Sequence, residues 1–422
     1  MSWPRLGRLL DVRGDDARPL AWSATQFGLL MAALYVVRPL RDELGIRSGV
    51  ENMQWLFSGT FVAMLLIVPL YGLAVSRRPR RVVVPWVFIC IALSLVAARV
   101  LSGQMTEMYE SVFAAVLFVW ISAFNLFAVS VFWSLAVDIF SPESSRRSFG
   151  LISAGGTIGA LCGPVLAAAG AQWLVPDDLL LLCAGLLLCV AMAGRGVESS
   201  TRGVQDGGTE GGLGGGVVEG FALLATQPRL RALCGYLLCM TWVSTVLYFE
   251  QSRVVAAASL DSAERTTIFA GLDLAVNASA ICIQMLFTGR VLGRLGLGVV
   301  LVALPVVSGA ALVGISLVPT LTVVLVAQAV RRATNFALAR PAREVLYTGV
   351  DRVSRFKGKN VVDTVVYRGG DMIAGWAFAG LEFAGLGLGA IAWLATPVVG
   401  IWAWLGVRLG RASESHEGSQ RL

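Results

Sequence analysis

The sequence predicts an all-α polytopic membrane protein, with about twelve transmembrane helices arranged as two six-helix bundles. Three observations predict it. The 422 residues are 56% hydrophobic and only 14% charged, with a mean hydropathy of +0.73, whereas soluble domains carry roughly 25% charged residues. Apolar runs of about 20 residues, long enough to cross a bilayer, recur along the whole chain. A polar, Gly-rich stretch, GVESSTRGVQDGGTEGGLGGGVVEG at 196–220, divides those runs six and six and reads as a flexible linker. The predicted organisation is an N-terminal bundle over 1–195, the linker over 196–220, a C-terminal bundle over 221–410 and a polar tail over 411–422.

In order, the spans fall near 20–40, 53–75, 82–102, 112–138, 148–172, 178–195, 230–254, 266–289, 297–316, 318–338, 360–383 and 386–408. The N-terminus is polar and Arg-rich and its first apolar run is long, as in a retained first span rather than a cleaved signal. Loop charge sets the orientation. SRRPRR at 76–81, SPESSRR at 141–147, GRVLGR at 289–294, the run at 340–359 and the tail are basic. The loops at 102–111, 172–178 and 317–321 hold no Lys or Arg. This pattern predicts a multi-pass protein of a bacterial inner membrane with both termini cytoplasmic, which requires an even number of spans.

Several function classes are excluded. The net charge of +7 lies in loops, so it gives no argument for a nucleic-acid partner. Cys90, Cys162, Cys183, Cys189, Cys234, Cys239 and Cys282 lie in apolar runs without a C-x-x-C pair, so neither a zinc site nor a disulfide framework is expected. The only histidine, His416, lies in the polar tail, which leaves no Ser-His-Asp triad and no histidine metal cluster. GGLGGG near residue 211 lacks the G-K-[ST] ending of a phosphate loop. The expectation is a protein that is not an enzyme and needs no cofactor, with the lipid bilayer and a small solute as its partners.

Charges inside the spans point to that solute. Each costs about 2.5–3.5 kcal/mol at mid-bilayer, so each needs a partner, a wet cavity or an interface. The densest stretch is RPAREVLYTGVDRVSRFKGKNVVDTVVYRGGDMIAGW at 340–376, with the chain's only two lysines, Lys357 and Lys359. Asp363, Tyr367 and Asp371 recur there on one helical face, with Arg368 beside them. The stretch either lines the path of an anionic solute or is a cytoplasmic loop whose charge fixes topology. Arg38 and Arg41 share a face at the end of span one, followed by Asp42 and Glu43. They read as an arginine site for phosphate or carboxylate, or as an ion pair at a helix end that Pro39 kinks or stops. Asp138 reads as a gating carboxylate or as the partner of Arg146 or Arg147. Glu250 is placed near Arg253 on one face of span seven. Asp273, one turn from Asn277, is a proton or cation site or one half of a buried pair. Arg331, Arg332 and Asn335 extend the basic side towards Arg340 and Arg343.

The two halves echo each other. SPESSRRSFGLISAGGTIGAL follows span four and DRVSRFKGKNVVDTVVYRGGDMIAG follows span ten; each has an acid, a Ser-Arg, a basic residue and a Gly-Gly pair inside the next helix. Repeated six-span halves are the build of a two-bundle transporter, although Gly-rich helices alone also produce such a match by permitting close packing. YGLAVSRRPRR at 71–81 resembles the major facilitator signature between spans two and three, with Ser76 where an acid is usual.

The stretch at 340–376 is similar to the nucleotide transporter family, the ATP/ADP translocases of plastids and intracellular bacteria and their relatives in other bacteria. The family's P-[ST]-[KR]-E-x-x-Y element is matched by Pro341, Arg343, Glu344 and Tyr347; its acidic turn by Asp351; and its K-G-K-x-x-[IV]-D by Lys357, Gly358, Lys359 and Asp363. YVVRPLRDELG resembles the family's R-D-x-[KR]-D at the end of span one, with Arg41 where the family has a substrate-binding lysine. VFWSLAVDIFSPESSRRSFGLISAGGTIGAL resembles the aromatic end of span four, and Glu250 lies within about a residue of an acidic position in span seven. The family's acid in span four would fall near Ile121 or Ser122 and is absent, and the bias to arginine makes relatives in free-living bacteria the nearer comparison. The resemblance implies alternating-access exchange of a nucleotide or related phosphorylated anion. It makes Arg41, Arg343, Lys357 and Lys359 anion-binding residues, to which the charge pattern above adds Arg38 and Arg368. Glu250 and Asp363 become gating or coupling residues, and the carboxylates Asp138, Asp273 and Asp371 read from the charge pattern join them. The competing expectation is a major facilitator carrier for another solute, coupled to protons through Asp273 or Glu250. A scaffold without transport would gain little from so many intramembrane charges.

Overall fold

Long runs of Leu, Val, Ala and Ile become helices here because a backbone in hydrocarbon must satisfy its own N–H and C=O groups. The computed structural model describes residues 17–140, 142–201, 227–258, 260–346 and 365–420, and every regular element among them is helical. The helices are α1 Ala17–Arg47, α2 Met53–Arg77, α3 Arg80–Ser102, α4 Glu107–Ile139, α5 Pro142–Trp173 and α6 Leu179–Thr201 in the first half. The second half holds α7 Pro228–Ala257, α8 Ser262–Ile283, α9 Gly289–Leu317, α10 Leu321–Thr334, α11 Tyr367–Phe383 and α12 Leu388–Gln420. A π-helical turn, Gln284–Thr288, carries α8 into α9, and the change of direction comes at Gly296, whose φ of 77° suits only glycine. Another π-helical turn, Asn335–Ala339, and a short helix, Arg340–Leu346, prolong α10. Among the described residues nine stretches are long and apolar enough to cross a membrane. One of them, Ser262–Leu317, contains two predicted spans; α10 and α11, shorter as regular helix, complete the twelve.

Three boundaries differ from expectation. Pro39 neither ends α1 nor separates it from the charges, since the helix continues eight residues further to Arg47. A proline inside a long membrane helix removes one backbone bond and is absorbed by its neighbours. The expected break at Gly196 is also bridged: α6 continues to Thr201, and the hydroxyls of Ser199 and Ser200 donate back to the Gly196 carbonyl. The polar tail expected from residue 411 begins inside α12, which runs to Gln420.

Apolar side chains that no helix covers lie along these elements, among them Leu66, Leu70, Trp86, Val116, Ile158 and Trp404, all more than half exposed. Such a surface belongs against lipid.

The chain forms two compact units. One comprises 1–48, 62–210 and 261–274, the other 49–61, 211–260 and 275–422. The partition crosses the sequence halves at an equivalent place in each, since the start of α2 groups with the second unit and the start of α8 with the first. Within the first unit α1 packs on α5 backbone to backbone. A Cβ at Gly159 would overlap the Gly28 carbonyl, and one at Gly155 would overlap that of Ala24. Within the second unit α7 packs on α11 through side chains, and a Cβ at Gly370 would come within 2.6 Å of Thr241 Oγ1. A glycine of the Gly-Gly pair in each half, Gly155 in the first and Gly370 in the second, therefore sits where the fifth helix of the half meets the first.

Candidate functional site

The charges at the end of α1 form a network within the first unit. Glu43 is fully buried and accepts from Arg265 Nη2 at 2.8 Å, with Arg47 Nη2 at 3.1 Å one turn along the helix. Arg47 also donates through Nη1 to Asp177 Oδ1 at 3.2 Å and through Nη2 to Ser262 Oγ at 3.0 Å. Three elements thus meet on one buried carboxylate and one guanidinium: α1, the 3-10 turn Pro176–Asp178 before α6, and the start of α8. Further back on α1, Arg38 Nε lies 3.5 Å from the buried Asp273 Oδ2, and its guanidinium stands 5.5 Å from the Tyr35 ring centre. Asp273 is therefore one half of a buried pair. Arg41 is held by Asp42 next to it, with Nε donating to Oδ1 at 3.0 Å, and stands 5.5 Å from the Phe118 ring centre. These are two cations with partners they could exchange for an anion, since a guanidinium binds a carboxylate and a phosphate through the same fork.

The second unit contributes α7, α10 and α11. Arg253 pairs with Glu382 and lies 5.2 Å from the Phe378 ring centre. Glu250 lies near Arg253, as the shared face implies, but it is fully buried and among the described residues neither of its carboxyl oxygens has a hydrogen-bond partner. Position on a shared helical face did not decide the pairing; an acid on α11 reached Arg253 instead. Arg343, beyond α10, is half-buried and donates through Nη1 to the Met240 sulfur at 3.5 Å. Arg368 is bound to Asp371 one turn on, Nη1 to Oδ2 at 3.0 Å, and stands 5.1 Å from the Tyr367 ring centre. Both members of that predicted set are therefore engaged with each other.

Asp138 is exposed and pairs with Arg80 at the start of α3 at 2.5 Å, a partner 58 residues away; the side chains of Arg146 and Arg147 lie outside the described residues. Lys357, Lys359 and Asp363 lie outside the described residues, as do Tyr347 and Asp351. A cavity of about 460 Å³ among α2, α3 and α4, lined by Trp86, Trp120, Phe124 and Phe127, contains none of the candidate residues. Glu43, Arg47 and Arg265 were not singled out as site residues, although the spacing of Glu43 and Arg47 marks an i,i+4 pair.

No curated protein matches the chain in sequence. Solved structures match it in fold. A bacterial homologue of the iron transporter ferroportin, in an inward-facing state, superposes with a TM-score of 0.64 at 13% identity, over 97% of this chain and 100% of that one. The nucleoside transporter NupG gives 0.58 at 15% identity, over 96% and 99%. A bacterial homologue of the human lysosomal transporter Spinster, inward-facing and unoccupied, gives 0.59 at 14% identity, over 95% and 93%. At these identities the likeness is one of fold. A sequence model of the Major Facilitator Superfamily matches residues 19–342, most of the chain. With its apolar helices, its paired halves and this match, the chain belongs to the Major Facilitator Superfamily, a family of multi-pass membrane transporters.

Proposed function

We propose that this protein is a secondary transporter that moves a phosphorylated anion, a nucleotide in ATP/ADP-type exchange, across the bacterial inner membrane by alternating access, with both termini cytoplasmic. The observation that carries the reading is Arg343. It is the basic residue of the nucleotide-transporter-like element at 340–347, and its hydrogen bond goes to a thioether, a weak acceptor that an incoming phosphate oxygen would displace. Arg38 and Arg41 supply cations in the first unit, and Lys357 and Lys359 supply the remainder of the basic stretch. Asp273 and Asp371 are the carboxylates that would recapture Arg38 and Arg368 when the anion leaves. Thermal stabilisation of the purified chain tests the reading, because a ligand at 100 times its dissociation constant adds about 2.7 kcal/mol. ATP and ADP should raise the melting temperature and adenosine should not. Equal stabilisation by adenosine, or none by any nucleotide, would count against it.

A second reading is favoured by Glu250. A fully buried carboxyl with neither oxygen bonded among the described residues is where a carrier could take up and release a proton. The protein would then be a proton-coupled carrier for another solute. Uptake that stops when the proton gradient is collapsed supports this reading, and nucleotide uptake that survives it supports the first.

A further inference from the structure

Arg331, on α10, is a buried cation with no anion of its own among the described residues. It is 8% exposed. Its Nε and Nη2 donate to Gln328 Oε1 at 3.1 and 2.8 Å, and its Nη1 donates to Ser244 Oγ on α7 at 2.9 Å. Gln328 is itself fixed, donating through Nε2 to the Leu247 carbonyl at 2.9 Å. Every one of these acceptors is neutral, and among the described residues Arg331 makes no ion pair. The charged and titratable groups acting on it are Arg332, a second cation, and Tyr367 on α11. Arg38, Arg41, Arg47, Arg253 and Arg368 each have a carboxylate; Arg331, more buried than any of them, has none among the described residues.

A guanidinium has five N–H donors, and three bonds are formed, so one N–H on each terminal nitrogen remains. Two terminal N–H groups on a planar head match two oxygens of one phosphate. If the residue served only to tie α10 to α7, an uncharged amide could do so without burying a charge that costs several kcal/mol when uncompensated. We propose that Arg331, pre-oriented by Gln328 and Ser244 and flanked by Tyr367, is a further residue of the second unit, besides Arg343, that binds the phosphate group of the cargo. The inference deepens the anion-transport reading above and rests on it.

The test is equilibrium binding of radiolabelled ADP and of radiolabelled inorganic pyrophosphate to the full chain in detergent micelles, with and without added phosphatidylglycerol. Wild-type, Arg331→Gln and Arg331→Lys proteins are compared. The expected result is binding of ADP by the wild type, weakened at least about tenfold in Arg331→Gln and less in Arg331→Lys, which keeps the charge but not the fork. If Arg331→Gln does not fold, the lysine variant decides the matter by the same criterion of weakened binding. Unchanged ADP affinity in a folded variant overturns the role of Arg331 and leaves the nucleotide reading standing. Binding of pyrophosphate but not ADP, lost in the variants, keeps Arg331 as the anion site and overturns the nucleotide. Binding of neither anion overturns both. A difference between variants that appears only with phosphatidylglycerol, through its headgroup phosphate, assigns the site to lipid and overturns its role in cargo binding.

Discussion

Replacing Glu43 with Gln tests whether the charges at the end of α1 hold the first unit together. The side chain has no exposed surface and sits between Arg265 at 2.8 Å and Arg47 at 3.1 Å. Glutamine keeps the shape but removes the negative charge that both guanidiniums face. Removing one partner from a buried ion pair costs about 3–5 kcal/mol. Arg47 retains Asp177 at 3.2 Å, which places the expected loss near the lower end, about 3 kcal/mol. For a unit of roughly 200 residues each kcal/mol moves the melting temperature by about 2–4 °C, so the variant should melt about 6–12 °C lower. The assay is thermal denaturation of purified protein in one detergent, followed by intrinsic tryptophan fluorescence. Adding Arg265→Gln should restore part of the loss, because two neutral amides are tolerated better in the interior than a cation facing one. A single variant that melts within about 2 °C of the wild type would make Glu43 a bystander and remove the network's structural role.

Three other outcomes are expected. Gly159→Val should lower the melting temperature by about 2–12 °C, because its side chain would be driven into the Gly28 carbonyl of α1 and overpacking costs about 1–3 kcal/mol; wild-type melting would contradict the close packing of α1 on α5. Arg41→Ala should leave membrane abundance near normal and abolish uptake, because the pair it breaks is local to α1 and partly exposed; failure to accumulate in the membrane would make Arg41 structural. Lys357→Arg with Lys359→Arg should insert normally yet lose most transport, since topology depends on charge but phosphate coordination depends on the shape of the head group; wild-type uptake would reduce both to topology determinants.

Much of the architecture was legible in the sequence because its signals are local. Length and apolarity mark each span, loop glycines and charges mark the breaks, and the Gly-Gly pairs mark the fifth helix of each half. Helix ends were less legible. At Pro39 and at Gly196 a residue that disfavours helix was overruled, at Pro39 because a membrane helix keeps its remaining backbone bonds and at Gly196 because one glycine costs only about 1 kcal/mol relative to alanine. Partners were the least legible part. The sequence offers only near neighbours, whereas ion pairs are settled by which helices pack together. Arg265 reaches Glu43 across 222 positions, and Arg253 reaches Glu382 across 129. Arg331 shows in the sequence only as an extension of a basic run, because the neutral partners that hold it among the described residues become visible only once its surroundings are known.

Exchange in proteoliposomes is the decisive test of nucleotide transport by this chain. Vesicles carrying the purified protein are loaded with unlabelled ADP and given labelled ATP outside, with a protonophore present. The expected result is accumulation of label that requires internal nucleotide, is untouched by the protonophore and falls to the protein-free level in Arg343→Ala. Labelled ATP entering no faster than into protein-free vesicles, from protein that remains monodisperse and folded, would contradict nucleotide exchange outright.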